Sequence, residues 1–135
     1  MKIVIFAFLA LMSAANSEKI QAILTRTADC FTCGMTFGNL GIQICGENCC
    51  SVQALDNSDL NFDAGTIDIF TGADLLECEQ FNLGNFDDPL KVTLYHMGAD
   101  ALTLDYVRIE TDLYNYMCDV YEELEDDNTL RISCN

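Results

Sequence analysis

The chain has 135 residues, enough for one domain, with 22 acidic residues against six basic ones and a net charge of −16. A surface so negative repels nucleic acid and attracts cations. Half of the residues are hydrophobic, which excludes a disordered polyelectrolyte and requires a packed core.

The N-terminus reads as an export signal. Lys2 precedes an apolar run from Ile3 to Met12, and the small residues Ser13, Ala14 and Ala15 lead to Asn16 and Ser17. This is the layout of a signal peptide over residues 1–17, and the run is about half the length of a spanning helix. The mature domain is then 18–135, secreted, extracellular and not membrane-spanning. Its eight cysteines, Cys30, Cys33, Cys45, Cys49, Cys50, Cys78, Cys118 and Cys134, form an even set in a short exported chain and read as four disulfides. Cys49 and Cys50 are expected to bond to separate partners, since a bridge between neighbours strains the backbone. A Cys118–Cys134 bond would tie down the C-terminal strand.

Apolar alternation predicts strands in chain order at 19–26, 40–45, 50–55, 66–71, 90–96, 102–109 and 129–134. In 102–109 the apolar parity slips between Leu104 and Val107, which implies a bulge or a strand buried on both faces. The segment 113–124 is ambiguous. Leu113, Tyr116, Met117, Val120, Tyr121 and Leu124 fall at helical spacing, whereas Tyr116, Cys118 and Val120 alternate as on a strand. The surrounding strands favour the second. The expected fold is all-β, a two-sheet antiparallel sandwich of about eight strands stabilised by disulfides.

Three stretches carry a family resemblance. The first runs through Leu55-Asp56-Asn57, Asn61-Phe62-Asp63 and Gly65-Thr66 to Asp68 and Phe70. The second comprises Val92-Thr93-Leu94, His96 and Leu104-Asp105-Tyr106-Val107-Arg108-Ile109. The third opens at Lys19 and leads through Gly34 to Ile42-Gln43-Ile44. Together they resemble the PLAT, or lipoxygenase-homology, domain. The family's tryptophan before the Leu-Asp pair is missing, with Leu102-Thr103 in its place, and the cysteines are foreign to most members. The resemblance implies a non-catalytic module that binds a lipid surface or a protein partner, in some members with calcium. Fold analogy alone is a weak warrant for function.

Three constellations are candidates for chemistry. Asp56, Asp59, Asn61 and Asp63 gather hard oxygens of the kind Ca²⁺ takes, with Asp68 and Asp74 as outer ligands. In an extended loop Asp59, Asn61 and Asp63 would point one way and Leu60 and Phe62 into the core. The alternative is a solvated turn whose carboxylates cap the backbone. The run Glu122, Glu123, Glu125, Asp126 and Asp127 reads as a solvated face. Phe31, Met35, Phe37, Phe81 and Phe86 lie in connections, where they either present apolar tips to a membrane or partner or cover the ends of the core.

Catalysis finds no support. Cys30-Phe31-Thr32-Cys33 lacks the helix start of a redox pair, and His96, the one histidine, shares strand parity with Val92 and Leu94. The sequence thus reads as a non-enzymatic module recognising an extracellular protein or lipid surface through its loops. The other reading is an acidic structural protein of a matrix, coat or mineral.

Overall fold

A computed structural model describes residues 18–135 except 60, 87 and 88; residues 1–17, read above as a signal peptide, lie outside the described residues. Nine strands are present among them: β1 (Glu18–Thr27), β2 (Asn39–Cys45), β3 (Cys49–Val52), β4 (Ile67–Thr71), β5 (Asn82–Gly84), β6 (Leu90–Met97), β7 (Leu102–Thr111), β8 (Asn115–Leu124) and β9 (Thr129–Cys134). A short 3-10 helix, Gly72–Cys78, follows β4. No helix among the described residues is long and apolar enough to cross a membrane.

The strands form two antiparallel sheets. One runs β4-β1-β7-β8, with β5 pairing the start of β1, and the other runs β3-β2-β6-β9. Each strand turns one apolar row inward, as period-two alternation requires. Ile20, Ile23, Phe70, Val107 and Ile109 from the first sheet meet Leu40, Ile42, Ile44, Val92 and Leu94 from the second, all buried. The parity slip in β7 is a bulge at Asp105. Register shifts there against β1, between Arg26 and Thr27, and against β8, between Leu104 and Tyr106.

The ambiguous segment is strand β8. Its helical-looking stripe divides, with Val120 and Leu124 facing the core and Met117 and Tyr121 facing solvent. Tyr121 has a φ of 48°, which lets the strand absorb an extra residue opposite β7.

All eight cysteines are paired: Cys30–Cys33, Cys45–Cys49, Cys50–Cys78 and Cys118–Cys134. Cys49 and Cys50 do go to separate partners. Cys118–Cys134 joins β8 of one sheet to β9 of the other, and beside it Asn135 exchanges two backbone hydrogen bonds with Met117. The buried Glu18 carboxylate ties the first strand down, accepting hydrogen bonds from the Tyr116 hydroxyl at 2.7 and 2.8 Å and from Thr111 at 3.0 Å. Burial and that carboxylate push the Tyr116 pKa above its ordinary value.

Candidate binding end of the sandwich

Strand direction places four connections at one end: 28–38, 53–66, 98–101 and 125–128. Hydrogen bonds lock them together. Met35 N–H donates to the Phe62 carbonyl at 2.9 Å, Thr103 N–H to Cys33 at 2.9 Å, and Gly65 N–H to Thr27 at 3.1 Å. Asp100 accepts from the backbone N–H groups of Thr36 and Phe37, and Asp126 from that of Gly98. The approach is close enough to require glycine. A Cβ on Gly34 would stand 2.9 Å from the Ala64 nitrogen, and one on Gly98 only 2.5 Å from the Gly38 Cα.

The aromatic candidates part company here. Phe31 is 103% exposed at the tip of the Cys30–Cys33 loop, and Phe37 is 73% exposed beside it. Met35, between them, is buried, with its sulfur 3.1 Å from His96 Nε2. Phe81 and Phe86 lie at the opposite end and pack against the core; Phe86 also meets the Tyr116 ring at 6.3 Å. Met35, Phe81 and Phe86 therefore cover the core ends, and Phe31 and Phe37 alone are presented to solvent. Sequence could not separate them, because all five sit in connections of similar composition.

The acidic loop lies against this aromatic tip. Asp56 Oδ1 accepts from Ser58 N–H at 3.0 Å and from Asn61 Nδ2 at 3.2 Å, while Asn57 Oδ1 accepts from Asp59 N–H and its amide caps the Ile69 carbonyl at 2.8 Å. Ser58 and Phe62 adopt positive φ, so the loop is coiled rather than extended. Phe62 points into the core as expected; Leu60 lies outside the described residues. Asp59 and Asp63 are exposed, and Asn61 is half-buried, with an Oδ1 that has no hydrogen-bond partner. Asp74 does not belong to the group. It follows β4, at the far end of the sandwich, where its carboxylate accepts from Thr71 N–H and starts the 3-10 helix.

Asp68 is the buried member, set across from Thr25 on β1 and accepting the Phe62 N–H at 2.8 Å. Burial raises its pKa, the Phe62 bond works against the rise, and the charges of Asp63 and Asp59 add to it. The folded protein therefore holds this proton more tightly than the unfolded chain. The protonated carboxyl favours folding, and that contribution is lost as pH rises through the folded value. Asp68→Asn keeps an oxygen for Phe62 N–H and is expected to raise the melting midpoint at pH 7. The gain should shrink as pH falls toward the ordinary carboxylate range, and melts at pH 7 and pH 4 check it.

The donor types suit calcium: Asn61 Oδ1 has no hydrogen-bond partner, and the charges of Asp59 and Asp63 bear on Asp68. As it stands the loop is not a cage. Among the described residues no three histidine, cysteine or acidic side chains are close enough together to hold a metal ion.

His96 is a buried structural residue. Its Nδ1 lies 2.7 Å from the Glu125 carbonyl, which can only accept, so Nδ1 carries the proton. The ring thereby joins the Met35 connection to the Glu125–Asn128 turn, and His96 N–H reinforces it through the Asn128 carbonyl at 2.9 Å. The acidic run divides likewise: Glu122 and Glu123 end β8, while Glu125, Asp126 and Asp127 form the turn.

No family model matches the chain, and no curated protein does. Solved structures do. Coral 8R-lipoxygenase superposes with a TM-score of 0.67 over 86% of this chain at 16% identity. The fold is that of a PLAT domain. Its second structural likeness is to the alpha-toxins of Clostridium perfringens, TM-score 0.68 over 90% of the chain at 15% identity, and Clostridium absonum, 0.66 over 87% at 16%. The chain spans 17% of the lipoxygenase and about a third of either toxin, 33% and 31%. The coral enzyme is described as calcium-activated through its C2-like domain. At these identities the PLAT likeness establishes the fold alone.

Proposed function

We propose that this chain is a secreted, non-enzymatic binding module that grips an extracellular partner with the loop end of its sandwich. One observation carries the reading: Phe31 and Phe37 stand exposed on a hydrogen-bonded platform, with Asp29, Asp56, Asp59, Asp63, Asp100 and Asp126 on the same group of loops. Two apolar anchors inside an acidic rim fit a protein surface with apolar pockets and basic surroundings. A bare anionic membrane is repelled. Calcium would change that, and Asp59, Asn61, Asp63 and Asp68 are the residues that would hold it, after the loop draws its carboxylates together. Bound there, the ion would neutralise the rim and bridge to phosphate.

The test uses the oxidised mature protein, a lysine-rich amphipathic helical peptide, and vesicles of phosphatidylcholine with or without phosphatidylserine. Burying one phenylalanine contributes about 1.5–3 kcal/mol, so Phe31→Ser with Phe37→Ser should weaken peptide binding by at least tenfold. Binding to phosphatidylserine vesicles that needs Ca²⁺ and is lost in Asp59→Ala with Asp63→Ala would make the partner a lipid surface. Binding to neither probe sinks the loop reading. Weak, salt-sensitive cation uptake with self-association would then favour the matrix or coat protein.

A further inference from the structure

The outward rows of β2, β3, β6 and β9 differ from the rest of the molecule. In a chain with 22 acidic residues, not one stands on those rows. They present instead Lys91, Thr93 and Tyr95 on β6, Arg131 and Ser133 on β9, and Gln43 on β2. Register sets Lys91 opposite Ser133 and Thr93 opposite Arg131, so the two cations are diagonal neighbours on one face. Arg26 and Arg108 are held by Asp105 and Glu110, whereas neither Lys91 nor Arg131 makes an ion pair among the described residues.

Two depressions lie in line along these strands. Lys91, Arg131, Thr93, Ser133 and Gln43 line one of about 310 Å³. Tyr95, Met97, Gln53, Asn128 and Thr129 line the next, of about 570 Å³, where Asp127 of the β8–β9 turn is the one acidic lining residue. Together they follow β6 over most of its length, about 20 Å at the usual rise per residue.

We propose that this sheet face binds a carboxylated polysaccharide, a linear glycan bearing uronic acids. The ammonium and the guanidinium supply charge-assisted donors for the carboxylates, the arginine in bidentate geometry. Hydroxyl and amide side chains match the sugar hydroxyls, and the half-exposed Tyr95 ring offers an apolar surface with a polar tip for the sugar's C–H face. A small anion would use the first depression only. A neutral glycan would leave both cations idle, and an acidic peptide has no use for the array of amides and hydroxyls around the second depression. The chain's net charge does not forbid the contact, because at about 0.15 M salt the screening length is about 8 Å and the local cations dominate.

Calorimetric titration of the oxidised mature protein at that ionic strength tests this with hyaluronan fragments, dextran fragments of equal length, and polyglutamate. Hyaluronan is expected to bind saturably. Lys91→Ala with Arg131→Ala should weaken it by about tenfold or more, as loss of charge-assisted bonds implies. Tyr95→Ala should weaken it by a few-fold. Melts of each variant show that the exposed substitutions leave the fold intact. No hyaluronan binding, binding indifferent to these substitutions, or equal binding of dextran overturns the proposal. Polyglutamate binding as tightly, with Tyr95→Ala silent, overturns it in favour of an acidic protein ligand.

Discussion

Replacing Cys118 and Cys134 by alanine is expected to lower the melting midpoint by about 10 °C or more. Both residues are fully buried, and their bond links β8 in one sheet to β9 in the other across a sequence separation of 16. Restricting the unfolded chain by a loop of that size is worth about 3 kcal/mol. In a domain near 100 residues each kcal/mol moves the midpoint by about 4–8 °C. The two strands belong to different sheets, and the backbone hydrogen bonds beside the bond are the pair exchanged by Met117 and Asn135, just past β9. Cys45–Cys49 is the internal control. It closes a separation of only four within the β2–β3 hairpin, already held in register by Ile42–Val52 and Ile44–Cys50, so its loss should shift the midpoint much less. Scanning calorimetry of both variants decides the matter. Equal losses would mean that loop closure is not what the cross-sheet bond supplies.

Much of the sandwich is legible because period-two alternation is a local signal. Leu90 to His96 alternates cleanly, and β6 is there, with Leu90, Val92, Leu94 and His96 all inward. Even the slip between Leu104 and Val107 marks a real bulge, since an extra residue must break parity. What failed to show is what depends on partners distant in sequence. Asn82–Gly84 is three residues long, too short for any alternation, and is a strand only because β1 passes beside it. In 113–124 a local period competes with a tertiary one. The helical spacing of Leu113, Tyr116 and Val120 is an accident of the Tyr121 bulge and of exposed apolar residues, and pairing with β7 decides the outcome.

The candidate site was legible in its residues but not in their arrangement. Nothing in the chain near Met35 distinguishes it from Phe37; burial of the one and exposure of the other follow from His96, 61 residues away. The same holds for Asp68. Its alternation with Phe70 puts both on the inner face of β4, but the shift in its pKa arises from the loop that folds over it. The sheet face whose outward strand rows carry no acidic residue was hidden for a further reason. Lys91 and Arg131 are 40 positions apart, and only the β6–β9 register makes them neighbours.

His96→Ala is expected to destabilise the protein by about 2–4 kcal/mol, through the cavity and the stranded Glu125 carbonyl. The ring is 1% exposed and joins two of the four connections at the loop end, one through Met35 and the other through Glu125. Its loss should be felt beyond the core. Amides of the 125–128 turn and of residues 34–37 should exchange faster with solvent than in the wild type, and peptide binding at Phe31 and Phe37 should weaken even though neither side chain has changed. Thermal melts and hydrogen exchange measure the first two effects. A hydrolytic role would leave a different trace: turnover of an ester or peptide substrate by the wild-type protein, abolished in His96→Ala at unchanged stability. That result would replace the binding module with an enzyme. Loss of stability with no turnover in either protein places His96 beneath the loops as the strut that holds the Phe31–Phe37 tip against the acidic turn.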